Sequence, residues 1–178
     1  MHIKCSYKRC ILDIEVTGDV WAGKLACIGV LNLHSKKREI QCFTGESEEL
    51  VLRTFLQYFN KKRFNLLIGF NLAWDVRYIL AKCMQYRLQA ESVYKANCLD
   101  LMMVLKGFNR EPNFNRPGTL NEWSKFLGGQ GKLAKEAPIY VLYQMHRWQE
   151  ITSYNQADLK ITLDIWERLN DVIGHGKL

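Results

Sequence analysis

A chain of 178 residues, 48% of them hydrophobic, is long enough to bury a proper core and too apolar to be disordered. The 25 Lys and Arg against 18 Asp and Glu leave a net charge of +7, which points to an acidic partner such as nucleic acid. No apolar stretch reaches the roughly 20 residues of a membrane span, and the basic start from Met1 to Cys10 has no signal-peptide core, so no membrane partner and an intracellular, soluble protein are expected. The six cysteines form no C-x-x-C pair and the four histidines are scattered, which excludes a zinc-type ligand pattern and leaves the cysteines as reduced thiols.

Residues 10–16 (CILDIEV), 25–33 (LACIGVLNL) and 39–45 (EIQCFTG) read as strands bounded by turn residues. The gaps between them are short, so the three form an antiparallel meander. Ser47 caps a helix over 48–63, with Glu48 and Glu49 in its first turn and Lys61, Lys62 and Arg63 in its last. Its apolar stripe runs through Leu50, Val51, Phe55, Leu56 and Phe59. A buried strand over 65–71 (NLLIGFN) follows the helix and so runs parallel to an earlier strand. Residues 73–86 form a second helix and 96–106 (ANCLDLMMVLK) a strand or strand–helix junction. From Gly107 to Gly118, with two of the three prolines, the chain is a long loop. Thr119 and Glu122 make a capping box that opens a helix over 120–129, and a long helix over 151–174 closes the chain. The pattern predicts an α/β fold in one domain over 1–178: a mixed sheet, three antiparallel strands and then parallel ones, with helices on its faces.

Within the first strand, Asp13 and Glu15 share one face while Leu12, Ile14 and Val16 share the other. Two like charges so close raise each other's pKa unless something positive, most simply a divalent cation, lies between them. Such a pair alone says little, since 18 acids in 178 residues give about two by chance, and a solvated edge strand would carry one equally well. The apolar flanks instead predict a central strand, where unpaired carboxylates are costly. Asn71 ends a buried strand and Asp75 enters the following helix, at the end of the sheet where ligand sites gather; the helix dipole alone would also favour an acid there. Tyr154 and Asp158, four residues apart, share a helical face that continues through Thr162, Ile165 and Leu169, so Asp158 points inward.

Taken in order, LDIEVTG, GFNLAWD and YNQAD resemble the three motifs of the DEDD superfamily of 3′–5′ exonucleases, whose domain has the ribonuclease H-like fold. Tyr154 stands four residues before Asp158, and Ser153 stands where a second branch has histidine, so the chain is similar to the tyrosine branch, which includes the proofreading domains of B-family DNA polymerases. The segments CLDLMMV and TLNEWSKFLGGQGK also resemble that branch. Two positions depart from its pattern: Trp74 replaces the usual Phe or Tyr, and Val16 stands where Thr is common, with Thr17 next. The resemblance implies a five-stranded ribonuclease H-like sheet and two divalent metal ions, Mg²⁺ or Mn²⁺, serving phosphodiester hydrolysis. It implies that Asp13 bridges both ions, that Glu15 and Asp158 complete the water-activating site, that Asp75 holds the second ion largely through waters, and that Tyr154 orients the attacking water. By position within the motifs, Thr17 and Asn71 contact the substrate, a single-stranded DNA or RNA 3′ end with DNA favoured.

Four acids repel a phosphate backbone, so cations in and beside the long loop are candidates to hold it: Lys106, Arg110, Arg116, Lys125, Lys132 and Lys135. Phe108, Phe114 and Trp123 are candidates to stack on unpaired bases, or equally to fill the core. Two rivals remain open: an exoribonuclease trimming RNA 3′ ends, and a catalytically silent module that binds nucleic acid or a polymerase. The presence of all four acids weighs against the silent module.

Overall fold

In the computed structural model, which describes residues 7–108 and 118–174, the first apolar runs form three strands: Arg9–Val16 (β1), Leu25–Asn32 (β2) and Ile40–Thr44 (β3). β1 pairs antiparallel with β2, and β2 with β3, as their short connections require. Glu48–Lys62 (α1) follows, its start capped by Ser47 Oγ, which accepts from Leu50 N–H at 3.3 Å. Leu66–Gly69 (β4) returns parallel to β1. Leu72–Gln85 (α2) and the short Glu91–Lys95 (α3) lead to Asn97–Asp100 (β5), which lies parallel to β4. Leu101–Lys106 (α4) leaves directly from β5, and Leu120–Phe126 (α5), Ile139–Gln144 (α6) and Trp148–Ile173 (α7) complete the order. The sheet is five-stranded and mixed, in the order β3-β2-β1-β4-β5, so β1 is central as its apolar flanks predicted.

Both faces of the sheet are covered. Cys10, Leu12 and Ile14 of β1 pack with Phe55 and Phe59 of α1 and Ile79 of α2. Ile11 faces the other way, toward Leu159, Ile165 and Trp166 of α7. The capping box of Thr119 and Glu122 is present, but α5 stops at Phe126 because Gly128 adopts φ 85°, which no right-handed helix continues. The last helix starts at Trp148 instead of Ile151. The short helices α3 and α6 went unanticipated, since neither is long enough to show an apolar stripe. Cys98 is exposed because β5 is an edge strand, whereas Cys10 and Cys27 are buried. No helix among the described residues is long and apolar enough to cross a membrane. Arg110, Phe114 and Arg116 lie outside the described residues.

A buried ion pair ties α1, α2 and the β1–β2 turn together. Lys82 and Glu48, 2% and 3% exposed, stand 3.6 Å apart. Lys82 Nζ also donates to Gly23 O at 2.7 Å, while Glu48 accepts from Leu25 N–H at 2.5 Å and from the Tyr86 hydroxyl at 2.7 Å. Removing one partner of such a pair leaves a buried charge without compensation. Glu48→Leu should therefore destabilise the protein by about 3–5 kcal/mol, read as a lower urea midpoint, and Glu48→Leu with Lys82→Met should recover most of that loss.

Candidate active site

Alternation along β1 sends Asp13 and Glu15 to the face covered by α7. A register shift between Glu15 and Val16, where β1 pairs with β2, bends the strand just past the second acid. Asp158 comes from the middle of α7, 26 residues long and buried along one side. One oxygen from each of Asp13, Glu15 and Asp158 lies within 4.8 Å of the other two. Oxygen-only donors so close suit a hard divalent cation, and the ammonium groups of two lysines already sit against them.

This approach depends on Gly29 in β2. A Cβ there would stand 1.7 Å from Asn155 Oδ1 and 2.7 Å from Leu159 Cδ1. The missing side chain lets α7 lie close on the sheet and lets Asn155, fully buried, reach across to β1. Asn155 Nδ2 donates to Asp13 Oδ2 at 2.8 Å and to the Asp13 carbonyl at 3.1 Å, and its Oδ1 accepts from the Cys42 thiol at 3.7 Å. Asn155 thus orients the first carboxylate.

Asp75 reaches the site from the first turn of α2, where it is 5% exposed and its Oδ1 accepts from Ile14 N–H at 3.1 Å. It is close enough to raise the pKa of Asp13, although the tight three-oxygen cluster does not include it. The start of α2 is fixed by Asp100, at the end of β5. Asp100 Oδ1 accepts from Asn71 N–H at 2.9 Å and from Met102 N–H at 3.1 Å, and Oδ2 from Ala73 N–H at 3.3 Å. Asn71 holds φ 61°, a conformation asparagine tolerates, and its exposed side chain makes no cap.

Tyr154 is buried beside Cys27 and Ile151, and its hydroxyl accepts from Glu136 N–H at 3.0 Å. Thr17 has a structural role. Its hydroxyl accepts from Lys24 N–H at 2.7 Å and its own N–H donates to Lys24 O at 2.9 Å, which closes the β1–β2 turn. Two cations expected to face phosphates instead face the acids. Lys132 pairs with Asp158, and Lys135 Nζ donates to Glu15 Oε2 at 2.8 Å. Trp123 is half-buried against α7, at right angles to the exposed ring of Phe126, and with Phe126 and Phe108 it lines an apolar groove of about 240 Å³. Phe108 is exposed.

Burial is the main force on the acids. It raises the Asp13 carboxyl well above the ordinary range, with Asp75, Asp158 and Glu15 adding to the rise. It also raises Glu15, against the opposing hydrogen bond and charge of Lys135. Asp75 is pushed up to about 8 by burial, against the donated N–H of Ile14. For Lys132, burial opposes the charge, yet Asp158, Asp13 and Glu15 outweigh it and raise the pKa.

Sequence reasoning overlooked Asn155, Asp100 and the lysine pairing. Asn155 was within reach, since it lies three residues before Asp158 on the same inward face. Asp100 carried a weaker signal, an acid at the junction of a strand and a helix, and nothing local marks Lys132 or Lys135 as partners of distant acids.

Gly29→Ala should cost about 1–3 kcal/mol through overpacking, read as a lower melting temperature. Asn155→Ala alone should leave Mn²⁺ affinity, measured by calorimetry, weakened about 10- to 100-fold as for a lost outer partner. An acid whose pKa is higher folded than unfolded holds its proton more tightly in the fold, so its stabilising effect is complete below the unfolded value and fades as pH rises through the folded one. The metal-free melting temperature should accordingly fall as pH rises from about 4, the free Asp value, to about 8, the folded value for Asp75. Saturating Mn²⁺ should abolish the fall.

Comparison with known proteins agrees with this architecture. No curated protein matches the chain in sequence. A solved structure, the family B DNA polymerase from the hyperthermophilic archaeon Pyrobaculum calidifontis, superposes with a TM-score of 0.71 at 15% identity, over 92% of this chain. The chain spans 24% of that polymerase's length, and the likeness is one of fold. The model of the RNase_H superfamily matches residues 10–170, nearly the full extent of the sheet and its helices, and the chain belongs to that superfamily.

Proposed function

We propose that the protein is a metal-dependent 3′–5′ exonuclease acting on single-stranded ends, DNA in preference to RNA. The observation that supports this reading most is the convergence of Asp13, Glu15 and Asp158 within 4.8 Å, with Asp75 alongside. Membership of the RNase_H superfamily supports nuclease activity in general, and the motif order supports the 3′–5′ direction. The reaction adds water across a phosphodiester: an oxygen of water bonds to phosphorus, the bond to the 3′ oxygen breaks, and a 5′-mononucleotide leaves a strand one unit shorter.

When bound, one or two divalent cations would supply a lowered pKa for water and positive charge for the phosphate oxygens. Asp13, Glu15 and Asp158 would hold them, with Asp75 at the outer edge. The protein's own groups prepare the rest. Asn155 keeps one oxygen of Asp13 occupied and so aims the other. The Tyr154 hydroxyl accepts from Glu136 and keeps its own proton to donate, which suits orienting a water; phenols are poor bases at neutral pH. If a cation took the place of their ammonium groups against the carboxylates, Lys132 and Lys135 would be free to meet phosphate oxygens. Asn71, whose side chain makes no helix cap, and Thr17, whose hydroxyl accepts from Lys24 N–H, would contact the end of the strand by their place in the motifs.

The test is digestion of end-labelled single strands with Mg²⁺ or Mn²⁺. Stepwise shortening from the 3′ end is expected, and Asp13→Asn should slow it by more than about 100-fold, beyond what loss of an outer partner costs. Absence of shortening, or shortening that Asp13→Asn leaves intact, would refute the reading.

A further inference from the structure

Between the β1–β2 turn and α2 lies a cleft of about 380 Å³ lined by Asp19, Trp21, Trp74, Arg77 and Tyr78. Trp21 is 92% exposed, an unusual placement for the largest apolar side chain. It does not sit on a loose turn. Asp19 Oδ1 accepts from both Trp21 N–H and Ala22 N–H at 2.9 Å, and Gly23 N–H donates to Asp19 O at 2.7 Å. The Tyr78 hydroxyl donates to Asp19 O at 3.2 Å, and Lys82 grips Gly23 O. The turn is anchored to α2 at two points, and it presents an indole to solvent.

Across the cleft, Trp74 is 44% exposed and leans on the Tyr78 ring at 5.4 Å. Two indoles with an exposed guanidinium beside them form a surface suited to flat, aromatic, phosphate-bearing units. Asp19 and Arg77 balance each other's charge, so the cleft as a whole favours a base over a bare phosphate. Its volume, near the lower end for small-ligand pockets, has room for a single nucleoside. The cleft's walls are joined to the carboxylate site by short stretches of chain: Thr17 begins the turn that carries Trp21, and Asp75 directly follows Trp74.

We propose that the Trp21–Trp74–Arg77 cleft is a separate subsite that stacks an unpaired base of the strand upstream of its 3′ end. This rests on the nuclease reading for the identity of the strand. Stacking on a π face is indifferent to base identity, so the subsite would lengthen the grip on a strand without selecting sequence.

The test uses fluorescein-labelled oligothymidylates of increasing length, with binding followed by anisotropy in EDTA so that nothing is cut. Trp21→Ala should weaken binding of the longer strands about tenfold while leaving a thymidine dinucleotide unaffected, and should remove much of the tryptophan quenching that strands produce. Arg77→Ala should weaken the longer strands to a lesser degree. Both side chains are exposed, so both variants should fold. Equal binding of wild type and Trp21→Ala at every length would overturn the subsite, as would an equal loss at every length. Cleavage by the wild type alongside a neutral Trp21→Ala would sink the subsite and spare the nuclease reading. A length-dependent loss in a protein that cuts no strand would sink the nuclease reading and spare the subsite.

Discussion

Carboxylates gathered in a poorly solvated place resist their own ionisation, and the architecture around the end of β1 answers that resistance. Asp13 feels burial first and then three neighbouring acids. The answers come from several directions: Asn155 donates to Asp13, Ile14 N–H donates to Asp75, Lys135 meets Glu15 and Lys132 meets Asp158. Without these groups a cluster of like charges would push α7 away from the sheet. With them the cluster persists at the end of β1.

The scaffold makes such precision possible because each acid stands on a firmly rooted element. β1 has a paired strand on either side. α2 begins on a carboxylate of β5, and α7 lies across β1, β2 and β3 along its buried side. None of the four acids sits on a free loop. The segment that carries Lys132 and Lys135 is different: it lies between α5 and α6, outside any regular element, and is held to α5 by Lys132 N–H donating to Asn121 Oδ1 at 3.0 Å.

Much of this was legible in the chain, for identifiable reasons. The strand meander, the helix caps at Ser47 and Thr119 and the inward turn of Asp158 follow from local periodicity and from side chains that satisfy nearby N–H groups. β1 could be placed at the centre because apolar flanks on both faces leave no solvated side. Contacts between distant residues without a periodic signature were out of reach. Gly29 reads as an ordinary strand glycine until the amide of Asn155 is seen filling the space above it. Lys132 and Lys135 looked like surface cations because nothing near them in sequence shows the acids they meet. The short α6 escaped notice for want of length.

The two oxygens of Asp100 join parts of the chain that otherwise run separately. One carboxylate holds the first turns of both α2 and α4, so the tips of β4 and β5 share a single fastening. A displacement of Asn71 would pass through Asp100 into the first turn of α4. The rim of the sheet is thereby braced like a crossbar between two posts, and load applied at one helix start is borne by the other.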